Sequence, residues 1–217
     1  MTPSSTRFRA VIFDLDGVIT DTARYHYLAW KRLADGIGAP FDEAFNEELK
    51  GVDRMGSLEL ILARAPRVHG ADEKLALADA KNEHYRRLIA TMTPGDLLPG
   101  ALRALEQVRA AGLKTGLASV SKNAFTVLDR LGIRARFDYV VDAATVRNSK
   151  PDPEIFLRAA DALGVAPGDC LGVEDAAAGV ASIKAAGMFA VGVGDAQVLR
   201  QADVVIPSLE RFDLFAY

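Results

Sequence analysis

Ala10-Val11-Ile12-Phe13-Asp14-Leu15-Asp16-Gly17-Val18-Ile19-Thr20 is the stretch that decides the fold. Four apolar residues run into a carboxylate, a second carboxylate follows two residues later, and a glycine comes next. A short continuous apolar run of this kind reads as a buried strand of a parallel sheet. Carboxylates at i and i+2 from the end of a strand leave the chain in the same direction. Two like charges that close repel each other, so a metal ion, another cation or a shared proton has to offset them.

Outward from that strand, residues 21–93 carry helical spacing alone. Tyr27, Trp30, Leu33, Ala34 and Ile37 line one helix, with Thr20, Asp21 and Thr22 as candidate N-caps and Gly36, Gly38 and Pro40 closing it. A short helix from Phe41 to Leu49 stops at Gly51. Ser57 is the expected cap of the next, and Asp72 opens a longer one through Leu75, Ala78, Tyr85 and Ile89. Strands return after Pro94-Gly95: Leu113 to Ala118, Tyr139 to Val141, Cys170 to Val173, Phe189 to Val193 and Val204 to Ile206, with helical segments between most of them. The alternation predicts an α/β fold, a Rossmann-like parallel sheet with helices on both faces. Residues 1–20 and 94–217 form the expected core domain, and 21–93 a small all-helical cap domain inserted after the first strand. In open α/β sheets ligands bind at the carboxyl ends of the strands.

Composition narrows the function classes. Half of the 217 residues are apolar, enough for a sizeable core, and the net charge of −3 argues against nonspecific nucleic-acid binding, which needs a basic face. No apolar run approaches the roughly 20 residues that span a bilayer. Residues 1–9 are short and polar, without the apolar stretch of a signal peptide. Cys170 is the single cysteine; it excludes a disulfide framework, and its apolar surroundings in sequence predict core packing rather than nucleophilic chemistry. The expected setting is the cytoplasm and the expected state a monomer.

Four constellations stand at strand ends. Asp14 and Asp16 come first. Ser119-Val120-Ser121-Lys122-Asn123 follows the second strand; a hydroxyl there can donate to a phosphoryl oxygen, or simply cap a helix. Lys150 lies in Asn148-Ser149-Lys150-Pro151-Asp152-Pro153, where the prolines flanking Asp152 restrict the backbone and can aim the lysine; the bland alternative is a solvated loop lysine. Glu174-Asp175 ends another strand, and paired acids away from any basic cluster suit a hard cation such as Mg²⁺, or again a helix cap. Capping alone is a poor account of an acid pair, a hydroxyl, a lysine and a second acid pair at successive strand ends.

These four stretches, in order and across the whole chain, resemble the four motifs of the haloacid-dehalogenase superfamily, with the helical insert where that superfamily carries its first type of cap. Phe13 to Thr22, His26, Trp30, Leu49-Lys50-Gly51-Val52-x-Arg54-x-x-Ser57, Lys81-Asn82 and Ala118-Ser119-x-Ser121-Lys122-Asn123 resemble in particular its sugar-phosphate mutases. The resemblance implies an enzyme interconverting β-glucose 1-phosphate and glucose 6-phosphate through β-glucose 1,6-bisphosphate. It implies Asp14 as nucleophile, Asp16 as acid-base, and Ser119 and Lys150 as groups that orient the transferring phosphoryl. Mg²⁺ would be held by the Asp14 carboxylate, the Asp16 main-chain carbonyl and Asp175, with Glu174 close by.

Substrate-binding residues implied in the same way are Thr22, His26, Trp30, Gly51, Val52, Arg54, Ser57, Lys81, Ser121, Lys122 and Asn123. Arg54 is the candidate for the distal phosphate, Thr22 and His26 lie at the cap hinge, and Trp30 and Tyr27 are also expected in the cap core. Two departures from the pattern are Ala176, where many relatives have serine or threonine, and Asn148 before the lysine motif. The competing expectations are a sugar-phosphate or phosphoglycolate-type phosphatase on the same core, and a phospho-ligand-binding domain without catalysis.

Overall fold

The apolar run becomes β1, Ala10–Phe13, whose four residues are fully buried. A computed structural model describes residues 6–49 and 52–217. After β1 come four helices, α1 (Ala23–Ile37), α2 (Glu43–Glu48), α3 (Arg54–Leu62) and α4 (Ala71–Ile89). The chain then alternates through α5 (Ala101–Ala110), β2 (Lys114–Leu117), α6 (Ala124–Arg130), β3 (Tyr139–Val140), α7 (Glu154–Leu163), β4 (Cys170–Glu174), α8 (Ala177–Ala185), β5 (Phe189–Val193) and β6 (Val204–Ile206). It divides into two compact units, one from the N-terminal residues to Asp21 together with Thr93–Tyr217, the other Thr22–Met92.

In the first unit the six strands form one parallel sheet in the order β3-β2-β1-β4-β5-β6. The expected parallel α/β architecture is therefore present. Ala10 and Ile12 pack into a cluster with Ile155, Phe156 and Ala159 of α7 and Val180 and Ile183 of α8. Val11 and Phe13 point to the opposite face, where the Phe13 ring meets Phe212 with centroids 6.1 Å apart. Each such side chain withdrawn from water contributes about 1.5–3 kcal/mol. With this strand order the direction of winding reverses between β1 and β4, and the crevice outside their carboxyl ends is where such sheets take ligands.

The described residues of the second unit form helices joined by loops, without a strand. Trp30, Leu33 and Ala34 of α1, Phe41 and Phe45, Leu58, Ile61 and Leu62 of α3 and Ala78 of α4 make its core. Gly38 ends α1 in the left-handed region (φ 72°), its N–H reaching the carbonyls of Ala34 and Asp35.

Two expected caps are corrected. Thr22 stands at the N-cap of α1 and makes no side-chain cap bond. Ser57 does not start α3: Asp53 does, its carboxylate accepting the Met55 and Gly56 N–H groups at 2.8 and 3.1 Å. A charged carboxylate at the positive helix end outcompetes a hydroxyl four residues on. Ser57 lies within the helix and donates instead to the Val52 carbonyl at 3.4 Å. Lys50 and Gly51 lie outside the described residues.

Candidate active site

Asp14 directly follows β1, and its N–H donates to the Val173 carbonyl at 2.9 Å, extending the β1–β4 ladder by one step. The carboxylate is almost wholly buried. Asp16 sits differently. The strand has ended at Phe13, so strand alternation reaches Asp14 but not Asp16. Asp16 lies in a turn closed by Gly17 N–H to Thr20 O (2.8 Å) and Ile19 N–H to Leu15 O (2.9 Å), half-buried.

Lys150 arrives from the segment between β3 and α7. Its ammonium donates to Asp14 Oδ1 at 2.5 Å and to Glu174 Oε2 at 2.9 Å, and its side chain is 11% exposed. The solvated loop lysine is thereby excluded. The peptide bond from Lys150 to Pro151 is cis. Glu174 is the last residue of β4, with Asp175 after it. One oxygen each of Asp14, Glu174 and Asp175 lie within 4.8 Å of one another. Three carboxylates converging on one point are a donor set for a hard cation.

Two glycines make room for this set. Gly17 has φ +79°, and a Cβ placed there would fall 1.9 Å from Asp175 Oδ2. A Cβ on Gly179 in α8 would fall 2.0 Å from the Glu174 Cδ. Neither glycine was singled out as part of the site in the sequence; the available signal was a glycine close behind each acid pair.

Charge in this unit is crowded. Burial first, and then the charge of Asp14, push the Glu174 carboxyl well above the usual carboxylate range, although Lys150 pulls the other way. Burial also disfavours the Lys150 ammonium, but Asp14 and Glu174 outweigh it and hold that proton more tightly than in a free lysine. One ammonium against three carboxylates leaves an excess of negative charge that a divalent cation would offset.

Ser119 lies two residues beyond β2, buried, and its Oγ accepts the Ser121 N–H at 3.1 Å; Ser121 Oγ accepts the Asn123 N–H at 3.3 Å. Each hydroxyl so used still has its own hydrogen to donate. Asn123 is the N-cap of α6 without a side-chain cap bond, and Lys122 is exposed.

The helical unit holds a second cluster. Lys81 on α4 is 4% exposed, yet its ammonium faces His26 Nδ1 at 3.0 Å and lies over the rings of Trp30 and Tyr85, 4.2 and 5.0 Å from their centroids. The His26 ring packs on Tyr85 at 4.2 Å. Arg54, the first residue of α3, donates to Asn82 Oδ1 at 2.9 Å and is partly exposed. Burial, and then the charge of Arg54, bring Lys81 down to about 7. Burial, Lys81 and Arg54 together bring His26 down to about 3.

Among the described residues no carboxylate forms an ion pair with Lys81 or Arg54. Sequence reasoning missed Tyr85 as a floor for this cluster, because an aromatic at helical spacing reads as core. Trp30 has the core position expected of it, and Thr22 and Ser57 are buried. Val52 is exposed, while Gly51 lies outside the described residues.

A family model described as haloacid dehalogenase-like hydrolase matches residues 8–187. The chain belongs to the haloacid dehalogenase-like hydrolase family. Within that family it is 52% identical to the β-phosphoglucomutase of Bacillus subtilis over 200 residues, covering 91% of this chain and 88% of that one. It superimposes on the crystal structure of β-phosphoglucomutase from Clostridium difficile with a TM-score of 0.89 at 47% identity, covering 95% and 93% of the two chains. It is also 32% identical to a phosphorylated carbohydrates phosphatase of Thermotoga maritima, over 82% of each chain. Haloacid dehalogenase-like chemistry of this kind is metal-dependent, and the three converging carboxylates are suited to that need. Among the described residues no helix is long and apolar enough to cross a membrane.

Proposed function

We infer that this chain is a β-phosphoglucomutase, isomerising β-D-glucose 1-phosphate to D-glucose 6-phosphate. The observation that carries this is a second charge cluster. A phosphatase has to seat one phosphoryl group, and the carboxylate, Lys150 and Ser119 site can do that alone. A bisphosphate intermediate has two, and Arg54 with Lys81 supplies cations that no described acid of the helical unit neutralises. The likeness to the B. subtilis and C. difficile enzymes supports the same function.

In this mechanism Asp14 attacks a phosphoryl group of β-glucose 1,6-bisphosphate. Its carboxylate oxygen bonds to phosphorus as the sugar oxygen leaves, giving an aspartyl phosphate. Asp16 gives that departing oxygen its proton. Transfer from the 1-position releases glucose 6-phosphate. When β-glucose 1-phosphate then presents its 6-hydroxyl, Asp16 takes the proton as that oxygen bonds to phosphorus and the bond to Asp14 breaks; the bisphosphate so formed turns round and gives its 1-phosphoryl group to Asp14. Lys150 and Ser119 hold the phosphoryl oxygens through both transfers. The Asp14 carboxylate, the Asp16 main-chain carbonyl and Asp175 would hold Mg²⁺, with Glu174 close by, and the bound ion would supply charge neutralisation for the transferring group. Arg54 grips the phosphate that is not in transfer, for which a guanidinium offers two parallel donors. Ser121, Lys122 and Asn123 assist from the sheet unit. Lys81 is buried and acts through its field and through His26.

The test is a product assay. Enzyme supplied with β-glucose 1-phosphate, Mg²⁺ and a trace of β-glucose 1,6-bisphosphate is expected to yield glucose 6-phosphate without free phosphate. Stoichiometric release of free phosphate would overturn the mutase in favour of a sugar-phosphate phosphatase.

A further inference from the structure

Lys150 carries the site's protein cation, yet it stands on a segment without regular structure, residues 146–153 between a short 3₁₀ turn and α7. Its ammonium meets two carboxylates at 2.5 and 2.9 Å, so its backbone must be held closely. Two residues that take no part in the chemistry hold it. On the N-terminal side the Glu154 carboxylate reaches back and accepts the main-chain N–H of Arg147 at 3.1 Å and of Asn148 at 2.8 Å. Arg158, one turn further along α7, donates to the same carboxylate at 2.8 Å and fixes its orientation. On the C-terminal side Ser182, fully buried on α8, donates its hydroxyl to the Asp152 carbonyl at 2.6 Å. The Asp152 carboxylate in turn accepts the Glu154 N–H at 2.9 Å.

Lys150 thus hangs between anchored residues 148 and 152. The anchors come from the two helices that pack together over Ala10 and Ile12. We propose that Glu154 and Ser182 are positioning residues for Lys150, a two-sided clamp that transmits the rigidity of α7 and α8 to the ammonium on Asp14.

Three features of these bonds favour this role over generic loop stabilisation. The nearer backbone groups they engage lie two residues to either side of Lys150. Glu154 engages two successive N–H groups, which fixes the direction of the segment as well as its distance. Ser182 is a hydroxyl in the fully buried face of α8, where an apolar residue would serve packing as well, and that hydroxyl is spent on the Asp152 carbonyl. Displacing a positioned group by an ångström costs up to about 100-fold in rate while leaving distant binding contacts intact.

The proposal rests on phosphoryl transfer at Asp14, and its test is arranged to stand whichever product forms. Ser182→Ala and Glu154→Gln are compared with the parent chain for kcat and KM, with rates expressed per folded molecule from the amplitude of the thermal unfolding transition. The rate followed is glucose 6-phosphate formation, or free phosphate release if the parent proves to be a phosphatase. Each variant is expected to lose about tenfold in kcat, with KM for the sugar phosphate within about twofold of the parent.

Combined with Lys150→Ala, Ser182→Ala is expected to add no further loss, because the residue through which it acts is gone. Should Ser182→Ala fail to fold, Glu154→Gln decides alone; glutamine presents an amide donor where one main-chain N–H needs an acceptor. The clamp is overturned if kcat per folded molecule stays within about twofold of the parent in the variants that fold, or if the loss falls on KM instead. It is equally overturned if Ser182→Ala costs as much in the Lys150→Ala background as in the parent chain.

Discussion

The two units carry opposite electrostatic imbalances. At the ends of β1 and β4 three carboxylates face one ammonium, and burial with the neighbouring Asp14 drives Glu174 toward its neutral form. In the helical unit Arg54, Lys81 and His26 come together with no acid among the described residues to pair the cations, and burial with those cations drives Lys81 and His26 toward their neutral forms. In both places the chain has removed charge from water and left its neutralisation to something else. The sheet unit lacks positive charge and suits a metal ion; the helical unit lacks negative charge and suits a phosphate. Each imbalance costs stability in the free protein, and the ligand returns that cost as binding energy.

The largest test of this contrast is Asp14→Asn. It removes the nucleophile and part of the charge that raises Glu174, so turnover is expected to fall by roughly 10⁴-fold or more, with the far-ultraviolet circular dichroism unchanged. Turnover within tenfold of the parent would end the assignment. Arg54→Ala strikes the other unit. A charged hydrogen bond to phosphate is worth about 1.5–3 kcal/mol, so the mutase kcat/KM is expected to fall roughly 10- to 150-fold. Hydrolysis of a small phosphate ester, which has no second phosphate, should stay within about twofold. Equal losses in the two assays would remove Arg54 from the distal-phosphate role.

The smallest effect concerns Lys81, brought from the ordinary lysine value to about 7. Between about 7 and the unfolded lysine value the unfolded chain holds the extra proton, so stability should rise with pH across that window. Ligand binding runs the other way. The ammonium that attracts a phosphate is lost as pH rises through 7, so KM for sugar phosphate should increase roughly fivefold between pH 6 and pH 8.5, about 1 kcal/mol. Lys81→Met should flatten that rise; an unchanged pH profile would show that the cation does not act on the ligand.

Much of the sheet unit was legible in the sequence because buried parallel strands are unbroken apolar runs, and because Gly112, Gly132 and Gly164 punctuate the helices between them. Helix starts were less legible: Asp53 and Ser57 are both capping residues, and only the local geometry tells which one reaches the free N–H groups. At the site the acids and Lys150 could be read as residue types at strand ends. What holds them could not. Ser182 reaches Asp152 across 30 positions of sequence, and a buried serine in an alanine-rich helix has no distinguishing local pattern. The cap cluster was legible in its members Arg54, His26 and Lys81, and Tyr85 lies one helical turn beyond Lys81 on α4, but only tertiary packing brings the Trp30 ring of α1 against the same amine.

Gly17 has a consequence for how this protein tolerates change. With φ +79° and the Asp175 carboxylate where a side chain would begin, it is a position at which even alanine must displace a carboxylate. A survey that replaced each acidic and basic residue in turn would pass over it, since it carries no functional group. Yet its substitution should behave like the loss of Asp175, with intact folding and poor catalysis. Sequence variants that look harmless by charge or polarity are therefore poorly judged here, because an essential element of the site is the absence of an atom.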